Sequence, residues 1–157
     1  MASPAAQNAT LASLAIDIKL APNQASADAV KEADTARAQF PLSRGISRQY
    51  ADALIAAGRY DDAASYLRDQ AQLYRQEPQL QAQLAQAYAA QGKQALQHMA
   101  LAESYVLAGS LPAALDQFGI ARRAPDATFY EQAVIDARER NVQALWREEL
   151  KEAGKKP

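Results

Sequence analysis

The side chains that could support catalysis are few, and their spacing assembles no catalytic site. The chain has one histidine, His98, and no cysteine. A zinc site built from several histidines or thiolates is therefore excluded within this chain, as is a cysteine nucleophile. No nucleophile lies in a pattern with a base that would activate it. We therefore expect that this chain is not an enzyme and that it holds no cofactor.

His98 and the pair Arg122 and Arg123 are also chemically active, and each allows two interpretations. His98 is either a histidine held by an ordinary hydrogen bond or a pH switch, since an imidazole changes its charge near neutral pH. Arg122 and Arg123 lie at a predicted helix C-terminus, where the helix dipole stabilises cations. Their alternative is a docking patch for a partner.

Composition narrows the class of protein before any motif does. The 157 residues carry 17 Lys+Arg against 18 Asp+Glu, and this balance argues against nucleic-acid binding, which needs a surplus of positive charge. Hydrophobic residues make up 49% of the chain, and alanine supplies roughly a quarter, as in all-helical proteins.

No apolar run approaches the roughly 20 residues that span a bilayer. The start lacks the basic region of a signal peptide. If the protein is exported, we expect that its signal has been removed.

Three glycines mark a repeat. Gly58 and Gly92 are 34 residues apart, and Gly92 and Gly109 are 17 apart. Each follows a helical stretch, where a glycine in the left-handed conformation ends a helix. Small residues stand seven positions before each glycine, and large residues stand eight and four positions before it. This pattern is typical of the paired helices of tetratricopeptide repeats (TPR), whose period is about 34 residues.

The repeat predicts an all-α, TPR-like α–α solenoid of helix pairs that forms a single domain over 1–157. A degenerate pair over 8–39, with Pro22 in its turn, precedes repeats 44–77 and 78–108. A further repeat, 95–124, shares a helix with repeat 78–108, because the half-period after Gly92 holds only one helix. The predicted helices are 8–21, 25–39, 44–57, 60–76, 79–91, 94–108, 111–123 and 129–153.

The last predicted helix, 129–153, is expected to cap the array. Thr128 and Glu131 have the spacing of a capping box, and Gly154 follows the helix. A long helix with charged residues outside its apolar positions would cover the last exposed core face of a solenoid. The apolar positions are Phe129, Ala133, Ile135, Val142, Leu145, Trp146 and Leu150.

The repeat register also predicts which side chains line a concave groove for protein segments. In TPR arrays this groove is formed by the first helix of each pair. The predicted groove residues are Arg48, Asp52, Ile55, Gln86, Met99, Glu103 and Val106. The alternative for any one of them is an ordinary solvated or packing residue. A groove that grips the acidic tail of a chaperone needs several Lys and Asn, and this face offers Arg48 alone.

The segment from His98 to Leu115, together with Ile120–Gln132 and Ile135–Arg138, resembles the C-terminal TPR region of BepA-like periplasmic zinc metallopeptidases. The similarity is strongest over about 95–140 and extends over 40–150. The run from Phe129 to Arg138 makes the match more specific, because it is not part of the TPR pattern.

The resemblance implies an accessory, protein-binding role in outer-membrane protein assembly and quality control, in the periplasm. The resembled peptidases hold zinc in a separate catalytic domain with an HExxH helix, which this chain lacks. The implied partners are protein or peptide segments, including outer-membrane assembly machinery and the peptidase domain. The alternative is a stand-alone TPR scaffold or co-chaperone that is unrelated to proteolysis.

Overall fold

A computed structural model of the protein describes residues 4–20 and 26–155. This part of the chain is all-α, and within each of two compact units neighbouring helices pack against each other in a repeat-like order. The all-α prediction with paired helices and a long last helix is confirmed. The eight helices in the described residues are α1 (Pro4–Leu20), α2 (Ser26–Gln39), α3 (Arg44–Ala56), α4 (Tyr60–Leu73), α5 (Pro78–Ala90), α6 (Gln94–Leu107), α7 (Leu111–Arg123) and α8 (Phe129–Lys155). The predicted turn around Pro22 lies outside the described residues.

The helix boundaries differ from the predicted ones mainly in α1 and α4. Helix α1 begins at Pro4 instead of residue 8, because the fixed φ of proline suits a first helical position. Helix α4 ends at Leu73 instead of residue 76. The residue before a proline is kept out of the helical conformation, and Glu77 before Pro78 is extended, with φ −97° and ψ 101°. The intervening residues form a turn, closed by the hydrogen bond from Glu77 N to Tyr74 O.

The turn after α6 shows why glycine recurs at the helix ends. Gly109 has φ +77°, in the left-handed region, and Gly58 and Gly92 have similar values of +73° and +72°. The Gly109 N–H donates to Val106 O, and the Ser110 N–H donates to Tyr105 O. These two bonds form a Schellman motif, which satisfies carbonyls that the helix end leaves unpaired.

The chain divides into two compact units, 1–66 and 67–157. In the first unit, α3 contacts both α1 and α2. Alanines at helical spacing on α2 (Ala29, Ala33 and Ala36) are buried, and small side chains let two helices approach closely. Ile16, Ile46 and Leu54 of this unit are also almost fully buried.

In the second unit, α6 packs against both of its sequence neighbours, α5 and α7, and also touches α8. This is the arrangement expected for a helix that serves two successive pairs, so the half-period causes no break in the packing. The core cluster here is formed by Ala102, Leu111, Ala114, Phe118, Ala121, Ile135 and Val142. Tyr105, which the register placed at a large packing position, is 38% exposed and lies outside this cluster.

Helix α8 is stabilised by a capping box at its N-terminus and by ion pairs with the end of α7. Thr128 N donates to Glu131 Oε2 (2.7 Å) and Glu131 N donates to Thr128 Oγ1 (3.2 Å), which confirms the capping box. Arg122 at the end of α7 forms ion pairs with Asp136 and Glu139 of α8. This contact gives Arg122 a structural role that the helix-dipole argument alone did not specify.

Only part of the predicted apolar set of α8 is buried. Ile135 and Val142 are fully buried and Trp146 packs on the core cluster, whereas Phe129 is 89% exposed and Leu145 and Leu150 are also exposed. At 1.5 Å per residue, α8 is about 40 Å long and α7 about 20 Å. The neighbouring helix is therefore too short to cover all of α8.

Candidate functional site

An apolar groove lies in the second unit, between α5 and α6, with one residue of α4 at its edge. Its volume is about 210 Å³. Almost all of its walls are hydrocarbon. The groove is lined by Arg68, Gln81, Leu84, Tyr88, Leu96, Met99, Ala100 and Glu103.

Helical spacing explains why these side chains meet. On α5, Leu84 and Tyr88 are four residues apart and therefore share one face. On α6, Leu96, Met99 and Glu103 follow each other at three and four residues and form a stripe. The two stripes face each other because α5 packs along α6. Their larger apolar side chains form the walls of the groove.

An ion pair forms part of the groove rim. Arg138 of α8 donates from Nε to Glu103 Oε1 (2.6 Å) and from Nη2 to Glu103 Oε2 (2.8 Å). Both side chains are about one-third exposed. The hydrogen bond to Glu103 raises the pKa of the Arg138 guanidinium above its ordinary value. A bidentate ion pair of this kind fixes the carboxylate in one orientation.

The structure brings together two of the seven predicted groove residues in this groove. Met99 and Glu103 both line it. Val106, one turn further along α6, packs against the core cluster, and Met99 also contacts that cluster. Gln86 is exposed on α5 and does not line the groove.

The other three predicted residues belong to the first unit. Arg48, Asp52 and Ile55 follow each other at four and three residues on α3, so they share one face of that helix. Asp52 is exposed, whereas Arg48 and Ile55 are half-buried.

Sequence reasoning missed several groove residues for an identifiable reason. Leu84 and Tyr88 stand eight and four positions before Gly92, which the register interprets as packing positions. They are mostly buried, as packing residues are, yet their surfaces also line the groove. Arg68 and Arg138 come from other helices, and no local pattern relates either to the groove.

His98 lies on α6, where its Nδ1 is 2.8 Å from Gln117 Oε1 on α7. With the amide oxygen as the acceptor, Nδ1 carries the proton. This contact fits the interpretation of His98 as an ordinary hydrogen-bonded histidine that ties two helices together. The interpretation as a pH switch remains a prediction.

A second, larger cavity lies in the first unit. It has a volume of about 450 Å³ and is lined by Ala27, Val30, Lys31, Asp34, Tyr50, Ala57 and Arg59. Two of its polar side chains, Asp34 and Tyr50, contact Arg37. The Arg37 guanidinium donates to Asp34 (2.6 Å) and lies over the ring of Tyr50 at 4.6 Å.

The tyrosine of this cavity is perturbed by its surroundings. Burial, and then the charge of Asp34, raise the pKa of Tyr50 above its ordinary value, whereas Arg37 and Arg59 act in the opposite direction. Tyr50 also stacks edge-on against Tyr66, with ring centroids 4.9 Å apart. Tyr50, Tyr66 and Arg37 thus form a packed aromatic and cationic cluster.

The described residues contain neither a cluster of metal ligands nor a helix that could cross a membrane. Within residues 4–20 and 26–155, no three His, Asp or Glu side chains come together as a metal ion would require. No helix in the same residues has the length and apolar character needed to cross a membrane. No protein-family model matches the chain, and no curated protein matches its sequence.

Proposed function

We propose that this chain is a TPR-like, non-catalytic protein-binding domain. The observation that carries the proposal is the apolar groove between α5 and α6. A surface groove walled by leucine, methionine and tyrosine side chains suits an apolar side chain of a bound polypeptide. The glycine turns, which recur at 34 residues and at half that interval, support the TPR-like assignment.

The proposal also assigns a context. From the resemblance of residues 95–140, we propose that the domain is the accessory module of a BepA-like metallopeptidase in the periplasm. There it would bind client segments or assembly machinery during outer-membrane protein assembly and quality control. The zinc of such an enzyme would be held by a separate catalytic domain, since this chain has one histidine and no HExxH motif.

A binding assay tests the groove. Urea-denatured outer-membrane β-barrel protein is diluted onto the immobilised domain, and its retention is followed by biolayer interferometry. We expect binding by the wild type and a loss of at least tenfold in affinity for Leu96→Glu, which places a charge in the groove wall. Leu145→Glu is the matched control, because Leu145 is half exposed on α8 and lies outside the groove.

Circular dichroism and Trp146 fluorescence establish that both variants are folded. Equal retention by folded Leu96→Glu and by the wild type would show that the groove is not the binding site. Specific cleavage of the β-barrel protein on addition of zinc would contradict the non-catalytic assignment. The metallopeptidase context is tested separately by the genomic reading frame, which should encode an HExxH motif upstream of these residues.

A further inference from the structure

The charges at the apolar groove are unequally compensated. Two groups at its rim carry full charges, Arg68 and Glu103. Both carboxylate oxygens of Glu103 accept hydrogen bonds from Arg138, so this negative charge already has a bound counter-charge.

Arg68 has no such partner. Its side chain is exposed, and in the described part of the chain no acidic residue forms an ion pair with it. The residues one turn away on α4 are Ala64, Ser65, Ala71 and Gln72, which are all uncharged. The groove edge therefore carries one uncompensated positive charge beside an apolar wall.

Resting on the proposed protein-binding function, we propose that the groove recognises a polypeptide segment in which an apolar side chain stands next to an acidic one. The apolar side chain enters between Leu84, Leu96 and Met99, and the carboxylate pairs with Arg68. The guanidinium offers a planar fork of donors that matches a carboxylate. At about 210 Å³, the groove is smaller than the roughly 300–1,000 Å³ of pockets for small-molecule ligands, and suits a single side chain.

A basic segment is disfavoured for two reasons. Its cation would meet Arg68, and it could approach Glu103 only by competing with a bidentate hydrogen-bonded pair. The chain as a whole has a net charge of −1, so a preference for acidic segments must come from the local charge of Arg68 and not from the overall field.

The test is a titration of the 15N-labelled full chain with three capped peptides, monitored by NMR. Each peptide contains the same Phe–Leu pair, flanked by acidic residues, by their amides, or by lysines. We expect shifts in the amide signals of Leu96, Met99 and Ala100, and about fivefold tighter binding of the acidic peptide than of the amide peptide. The lysine peptide should bind most weakly.

Two variants of equal charge change separate the local effect from the global one. Arg68→Glu should abolish or reverse the preference for the acidic peptide. Arg75→Glu changes the net charge by the same amount outside the groove and should preserve that preference. Raising the salt concentration should weaken binding of the acidic peptide and leave the amide peptide nearly unchanged.

Three other outcomes of these experiments would overturn the proposal. Equal affinity for all three peptides, or tighter binding of the lysine peptide, would overturn the acidic preference and leave the proposed protein-binding function standing. Failure of every peptide to shift the groove signals, together with no retention of denatured β-barrel protein, would overturn both. A concentration-dependent dimer that dissociates in Leu96→Glu would show that a second copy of the chain occupies the groove, against the proposal.

Discussion

The turn between α6 and α7 provides a test of the physical basis of the repeat. Gly109 has φ +77°, and a Cβ added there would meet no atom within 4 Å. The cost of Gly109→Ala therefore comes from the backbone alone. Holding an L-residue in the left-handed region costs roughly 1–2 kcal/mol. The reduced entropy of the unfolded chain returns about 0.4–1 kcal/mol, so we expect a net destabilisation of about 1 kcal/mol.

Gly119→Ala is the matched control, because it makes the same chemical change in the same unit with the opposite expected sign. Gly119 lies within α7, and its added Cβ would make an ordinary contact at 3.5 Å with Arg123 Nη1. Replacing a glycine by alanine within a helix stabilises by roughly 0.5–1 kcal/mol. The two variants should therefore differ by about 1.5–2 kcal/mol.

Trp146 makes the measurement specific. It is the only tryptophan of the chain and packs against the core cluster of the second unit, so its fluorescence during urea unfolding reports that unit. Gly109→Ala should lower the urea midpoint and Gly119→Ala should raise it. A Gly109→Ala variant as stable as the wild type, or more stable, would show that the turn does not need the left-handed conformation.

Three further predictions concern the core, a cap and a tyrosine. Phe118→Ala should destabilise the second unit by roughly 3–5 kcal/mol, measured by the same Trp146 unfolding curve, because Phe118 is fully buried. Asp126→Ala should cost about 1 kcal/mol and speed hydrogen exchange at Ala95, whose N–H donates to Asp126 Oδ1 (3.1 Å), whereas Asp126→Asn keeps an acceptor. Because the pKa of Tyr50 is raised on folding, its stabilising effect should be complete below the unfolded-state value of about 10 and should disappear as pH rises through the folded-state value. The difference in tyrosinate absorbance between the wild type and Tyr50→Phe, followed against pH, measures the pKa of Tyr50 in the folded protein.

Most of the fold could be predicted from the sequence because its determinants are local. A glycine after a helical stretch, a proline before the next helix and a capping box each act within a few residues. The sharing of one helix by two pairs was also readable from the half-period after Gly92, whereas the packing of that helix was not. The exposure of Leu150 was not readable, because it depends on how far α7 extends along α8.

The groove was harder to predict because its parts are distant in sequence. Met99 and Glu103 were found through the register of one helix. Arg138, which holds Glu103, lies 35 residues away on α8. Arg68 lies on α4, and the role that we propose for it depends on its forming no ion pair in the described residues, which no motif encodes. A pattern within one helix predicts which residues share a face, but not which helix will meet that face.

Helix α6 both packs against two neighbours and lines the groove. A helix that packs against neighbours on both sides has little surface left, and α6 meets those neighbours partly with small residues, of which Ala95, Ala100 and Ala102 are buried. The longer side chains of Leu96 and Met99 line the groove. Since Met99 also touches the core cluster, a substitution there would change stability and binding together. Leu96 lines the groove without belonging to that cluster, so binding can be tested at Leu96 with less disturbance of the fold.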